Sequence, residues 1–135
     1  MPYVNVKFVK EQVSREQKEQ LVQGLMDIIS NLMHRNKDLT VITIDELDSF
    51  NWFIGGQSLV NSVGQHGKVC FVNIKISKGT STAEEMAQVI KTGKELVSNV
   101  LGSCDLTNYF IIEELNPDGW GFDGISMTVR NQLEK

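Results

Sequence analysis

The feature that most constrains this chain is that it is written twice. Sliding the 135-residue sequence by 68 positions aligns Pro2 to Gly56 with Cys70 to Gly124 without a gap. Identical pairs include Val4/Val72, Asn5/Asn73, Lys7/Lys75, Lys10/Lys78, Trp52/Trp120 and Gly56/Gly124, and conservative pairs such as Tyr3/Phe71, Val6/Ile74 and Leu21/Val89 keep the same register. Self-similarity at a fixed long period marks a fold assembled from copies of one supersecondary unit. The units read as residues 2–59 and 69–124 of a single domain spanning 1–135. The polar stretch from Gln57 to Lys68 reads as their connector.

Each copy reads strand, helix, strand. In the first, Val4, Val6 and Phe8 alternate with Tyr3, Asn5 and Lys7, the period-2 pattern of a half-buried strand. Ser14-Arg15-Glu16-Gln17 has capping-box spacing and predicts a helix start. The apolar residues Leu21, Val22, Leu25, Met26, Ile29, Leu32 and Met33 then recur three and four apart, with Gly24 as a tolerated weak point. The polar Arg35-Asn36-Lys37-Asp38 stretch ends that helix, and Val41-Ile42-Thr43-Ile44 supplies the second strand, followed by a turn and the apolar Trp52-Phe53-Ile54 before Gly55-Gly56. The second copy repeats each signal, with a strand from Val69 to Ile76, a capping box at Thr82 and Glu85, and Gly102 as helix stop. A last strand from Tyr109 to Ile112 and a turn at Asn116-Pro117-Asp118-Gly119 lead into Trp120; the polar tail from Thr128 to Lys135 reads as frayed.

A crossover of about 20 residues pairs the strands of one unit in parallel. The expected fold is therefore α+β: tandem β-α-β units forming a four-stranded sheet with two helices on one face. Parity assigns Val4, Val6, Phe8, Ile42, Ile44, Val72, Ile74, Ile76, Phe110 and Ile112 to the helix side. The other face mixes Tyr3, Val41, Phe71, Tyr109 and Ile111 with Asn5, Lys7, Asn73 and Lys75. It is too apolar to stand free, and other subunits are expected to cover it.

A net charge of −4 leaves no basic patch, so neither nucleic acid nor a membrane surface is an expected partner. The N-terminus lacks the pattern of a signal peptide, no apolar run reaches membrane-spanning length, and a cytoplasmic location is expected. Cys70 and Cys104 have no CxxC spacing and read as reduced thiols, while His34 and His66 stand isolated. No metal or cofactor is expected.

Pro2 is the candidate for chemistry. Removal of the initiator methionine before a small residue exposes a secondary amine whose φ is fixed near −65°. A free α-amino group titrates at about 7.7 to 8.0, and a low-dielectric pocket disfavours its charged form. Such a nitrogen, aimed by the strand that carries it, suits general-base work near neutral pH.

A proline opening a strand-helix-strand unit, Gln17-Lys18-Glu19 on the first helical turns, and Glu46-Leu47 leading to Trp52-Phe53-Ile54-Gly55-Gly56 resemble the 4-oxalocrotonate tautomerase family. The doubling resembles the fused, double-length members of the tautomerase superfamily. The resemblance implies a homotrimer, a catalytic Pro2, and a pocket lined by the hairpin aromatic Trp52, with Trp120 as its copy. Two family arginines that hold the substrate's carboxylate and carbonyl fall on Val13 and Val41. The arginine pair that the dehalogenating members carry after the third strand falls on Ser77-Lys78-Gly79-Thr80. Lys78, and its copy Lys10, are then the cations expected to serve. The implied activity is keto-enol proton transfer on a small 2-keto acid, an aryl one such as phenylpyruvate suiting an apolar pocket better than a dicarboxylate. The alternatives are a proline-dependent hydratase, dehalogenase or decarboxylase of a small acid, or a non-catalytic oligomer of this fold. Cys70 opens the second unit with no free amine, so at most one proline site per chain is expected.

Overall fold

A computed structural model describes residues 2–133. Strand β1 (Tyr3–Val9) is followed by helix α1 (Arg15–Asn31) and strand β2 (Val41–Leu47), then by a two-residue hairpin of β3 (Phe53–Ile54) and β4 (Gln57–Ser58). The second unit repeats the order with β5 (Cys70–Ser77), α2 (Ala83–Leu101), β6 (Phe110–Leu115), and a hairpin of β7 (Gly121–Phe122) and β8 (Ile125–Ser126). Both capping boxes form. Ser14 Oγ accepts from Gln17 N at 3.1 Å while Gln17 Oε1 accepts from Ser14 N at 2.9 Å, and Thr82 and Glu85 do the same at the head of α2. The first hairpin turns through Gly55 and Gly56 at φ 59° and 83°, the two left-handed positions that a tight turn between twisted strands demands.

The sheet order is β2-β1-β5-β6. Each unit pairs its own strands in parallel, Tyr3 beside Val41 and Val72 beside Phe110. The two units join through β1 and β5, which run antiparallel with Asn5 opposite Asn73. A pseudo-twofold axis therefore passes between those asparagines. Its consequence positions everything that follows: the start of β1 meets the end of β5 (Tyr3 opposite Lys75), and the start of β5 meets the end of β1 (Cys70 opposite Phe8).

The even-numbered strand residues face the helices as parity requires. Val4, Val6, Phe8, Val72, Ile74 and Ile76 are buried against Leu21, Leu25, Ile29, Val89, Val97 and Leu101. Each such side chain removed from water contributes roughly 1.5–3 kcal/mol before the entropy of ordering is subtracted. Gly24 is more than a weak point in α1. A Cβ there would collide with the side chain of Leu96 on α2, so the glycine lets the two helices close on each other. Gly93 does the same for the ring of Phe110 beneath α2.

Among the described residues, no layer covers the opposite sheet face. Val41 and Tyr109 are 50% and 66% exposed there. Between them runs the same polar motif in both units: Lys7 pairs with Asp45 at 2.7 Å beside Asn5, and Lys75 pairs with Glu113 at 3.1 Å beside Asn73. The bond from Lys7 holds the Asp45 carboxyl below the usual range, and the bond from Asn73 does so for Glu113.

Two expectations need correction. The supposed connector from Gln57 contributes β4 and a short turn of helix at Val60–Ser62, because the hairpin must return before the chain crosses to the second unit. The supposed frayed tail contains a third helix, α3 (Met127–Leu133). Arg130 holds it: the guanidinium carbon sits 3.6 Å from the centre of the Phe122 ring, and Nη2 donates to the Phe122 carbonyl at 2.9 Å. Glu134 and Lys135 lie outside the described residues, as does Met1 and with it the question of its removal.

Candidate active site

The antiparallel joining of the units sorts the site candidates to the two ends of the sheet. Pro2 heads β1 and is buried. The register carries β5 past it to Ser77 and into the turn Lys78-Gly79-Thr80-Ser81, which precedes the cap of α2. Lys78 is exposed on that turn. Parallel pairing of β5 with β6 sets Ser77 beside Leu115, so the turn at Pro117–Gly119 and the half-buried Trp120 leave from the same end. Pro2, Lys78 and Trp120 therefore share one end of the sheet.

Lys10 and Trp52 belong to the other. Lys10 follows the end of β1, opposite the start of β5. Trp52, with Phe53, Phe71 and Tyr109, walls a cavity of about 250 Å³ against Cys70. Within one chain, the sheet's length separates both from Pro2. The two lysines and the two tryptophans are equivalent in sequence, and the fold parts them.

Cys70 reports on what this strand-head position does to an ionisable group. Its thiol is pushed up to about 12, chiefly by burial and further by neighbouring Cys104. It is thus no thiolate nucleophile at neutral pH. Nearby, His66 is not isolated in the fold: its Nδ1 meets Asp105 Oδ2 at 2.9 Å. Asp105 is held down at about 2, first by the hydroxyl of Thr107, with the Thr107 and Gly67 amides and His66 adding to it against the opposing effect of burial. That cluster pins the linker to the loop between α2 and β6.

The turn carrying Lys78 is held from three sides. Lys78 N donates to Leu115 O at 2.8 Å, Gly79 N donates to Glu114 Oε2 at 3.0 Å, and Thr80 Oγ1 donates to Ser77 O at 2.6 Å. Arg35, from the loop between α1 and β2, closes the third side: Nη2 donates to Thr80 Oγ1 at 2.6 Å, to Thr80 O at 3.1 Å and to Ser81 Oγ at 3.2 Å. By sequence alone, Arg35 belongs to the polar stretch that ends α1. Nothing local marks it, since its partners lie 45 residues away. Glu114 and its copy Glu46 likewise part company, for Glu46 pairs with Lys18 at 2.7 Å along the edge of β2. A broad depression of about 690 Å³ at that edge is lined by Lys18, Ile42 and Glu46 and includes none of the candidate residues. Among the described residues, no cluster of His, Cys, Asp or Glu is arranged to hold a metal, and no helix is long and apolar enough to cross a membrane.

A family model described as tautomerase enzyme matches the chain twice, over residues 2–61 and 71–130. The chain belongs to the tautomerase family. The second tautomerase match begins at Phe71, one residue past the cysteine that stands where the first unit has proline. A probable tautomerase, K2, of Dickeya dadantii (strain 3937) is 41% identical over 59 residues, which is 44% of this chain and 88% of that relative. A single unit's length thus accounts for most of that protein. Among solved structures, a fused 4-OT described as the Q0 wild-type symmetric trimer superposes with TM-score 0.81 at 17% identity over 95% of this chain and 98% of its own. The FG41 malonate semialdehyde decarboxylase inhibited by 3-bromopropiolate superposes with TM-score 0.75 at 16% identity over 98% of each chain. At such identities these likenesses establish the doubled tautomerase fold alone.

Proposed function

We propose that the chain is a proline-dependent tautomerase of a small 2-keto acid, working as a cytoplasmic homotrimer. The observation that carries the reading is the burial of Pro2 at the head of a family-matched unit, on the sheet end where the Lys78 turn arrives. With Met1 removed, the Pro2 nitrogen takes a proton from the carbon α to the ketone. The electron pair moves to the carbonyl oxygen as the enolate forms, and the proton is then returned to oxygen or to a neighbouring carbon. Pro2 is buried at the head of β1, and a low-dielectric surrounding disfavours the charged form of an amine, which favours a free base.

Lys78 supplies a positive charge for the carboxylate or the developing enolate oxygen. Trp120 offers an apolar wall from the same chain. Lys10 and Trp52 contribute to a Pro2 site only when a second copy brings them, which is one role for an oligomer. The exposed apolar residues of the open sheet face give that oligomer a surface to bury. With valines at 13 and 41, the two positions from which the family's arginines hold a dicarboxylate carry no guanidinium fork, so an aryl or monocarboxylate keto acid such as phenylpyruvate is the favoured class.

The test pairs intact mass of protein from its native cells with an enol-to-keto assay on phenylpyruvate, Pro2→Ala serving as control. A mass lacking methionine and a proline-dependent rate support the reading. Retained Met1 with no such rate moves the protein to a non-catalytic oligomer. A second reading takes its prompt from the fold shared with a malonate semialdehyde decarboxylase: Pro2 stays protonated and acts as an acid in decarboxylation, hydration or dehalogenation. Release of carbon dioxide or halide in place of tautomerisation, with activity falling as pH rises, would select it.

A further inference from the structure

We infer that Arg35 is a positioning residue for the Pro2 end: it holds the turn from Ser77 to Ser81, and through it Lys78, in place. The inference rests on the proposed role of Lys78, but its observations stand by themselves. Arg35 is half-buried and spends Nη2 on three oxygens of Thr80 and Ser81, while its Nε is buried with no hydrogen-bond partner among the described residues. Arginine in such a place loses solvation, and burial works against its charge, with Glu85 offsetting part of that cost. The charge also sits beside the first turn of α2, the end of a helix where a cation is electrostatically misplaced.

The backbone that presents it is strained as well. His34 lies at φ 55°, in the left-handed region that favours glycine, and the repeat puts Gly102 at the same place in the second unit. The Arg35 amide then returns to Ile29 O at 3.1 Å, fixing the direction in which the side chain leaves the helix. The equivalent of Arg35 in the second unit is Ser103, which is too short to make such a brace. A desolvated charge, an orphaned donor and a strained neighbour all occur at the end that carries Pro2. Outliers of this kind cluster at functional sites, and here they meet at the turn that carries Lys78.

The brace acts by shortening the list of conformations open to the turn. Gly79 within it sits at φ 82° and its amide depends on Glu114, so without Arg35 the turn keeps, among the described residues, one side-chain anchor from outside itself. Lys78 then samples a wider volume, and the cost falls on substrate capture.

The experiment compares Arg35→Ala, Arg35→Lys, Lys78→Ala and the Arg35→Ala/Lys78→Ala pair in protein with native processing. Two readouts are needed: amide hydrogen exchange at Gly79, and kcat and KM for phenylpyruvate. Arg35→Ala should speed exchange at Gly79 about tenfold while the interiors of α1 and α2 stay protected. It should raise KM about tenfold with little change in kcat, and Arg35→Lys should recover part of the loss, since lysine keeps the charge without the fork. The double variant should be no worse than Lys78→Ala, because both act through one group. Unchanged exchange at Gly79 in Arg35→Ala overturns the inference, and so does a double variant whose loss is the product of the single ones. If the wild type has no tautomerase rate, the proposed function fails while the exchange comparison still decides whether Arg35 braces the turn.

Discussion

The two ends of the sheet carry the same backbone and opposite chemistry. At one, a strand begins with Pro2, and a turn bearing Lys78 is held by Arg35 and Glu114. At the other, the equivalent strand begins with Cys70, an aromatic cavity stands ready with Trp52 and Tyr109, and Lys10 is at hand. Yet the group at the head of that strand is a thiol whose proton burial locks on. Duplication supplied two architectures for a site. Under the proposed function, which of them can move a proton turns on the residue that heads the strand at each end.

Breaking the asymmetry at its root has the largest expected effect. Pro2→Ala should lower the rate on phenylpyruvate by about 10²- to 10⁴-fold, the range that a positioned base contributes. Cys70→Ala should leave the rate alone and destabilise the fold by about 1–2 kcal/mol through a small cavity, measurable in urea unfolding. Equal losses of rate in both variants would mean that the ends are not functionally distinct.

The packing beneath the two units offers the next comparison. Gly93→Ala drives a methyl into the ring of Phe110, and Gly24→Ala drives one into Leu96. Each should cost about 1–3 kcal/mol. Gly93 should cost more, because a flat ring held by the sheet gives way less readily than the tip of a leucine. Thermal unfolding of the two variants side by side gives the order.

Part of the acid sensitivity should come from the Cys70 end, beside that of the lowered Asp45 and Glu113 carboxyls on the open sheet face. Asp105 ionises at about 2 in the folded chain against about 3.9 in an unfolded one. A depressed carboxyl adds stability that is fully present above the unfolded value and is lost as pH falls from about 4 through about 2. Asp105→Asn should flatten that limb of the stability profile. The equivalent residue in the first unit is Lys37, which offers no matching carboxyl.

The smallest effect belongs to His34. Replacing it by glycine, the residue found at the equivalent position, removes the left-handed strain and should stabilise the chain by about 0.5–1 kcal/mol. A lower melting temperature would show that the imidazole is held by something worth more than the strain.

Much of the fold is legible in the sequence, because its signals are local or repeated. Val4, Val6 and Phe8 alternate, Ser14 and Gln17 stand three apart, Gly102 stops a helix, and each of these is legible within a short window. What escaped was set by contacts between distant residues. Gly24 looked like a flaw because Leu96, its reason, lies on the other helix. The last helix looked frayed because its hold is Arg130 on Phe122 rather than an apolar stripe. Arg35 looked like punctuation because Thr80 and Ser81 come to it only through the antiparallel meeting of β1 and β5. The same meeting explains why Lys10 and Lys78, indistinguishable by register, finish at opposite ends. Pro2 stands out in the sequence as a candidate, but the residues that share its end of the sheet do not.

The most direct test of the central claim is a pH titration of the Pro2 nitrogen, followed by ¹⁵N chemical shift in natively processed protein beside the pH profile of kcat/KM. The account predicts a nitrogen that titrates as a secondary amine, with activity rising as it loses its proton. A nitrogen that behaves as an amide across the whole range, or an activity profile indifferent to its titration, would contradict it.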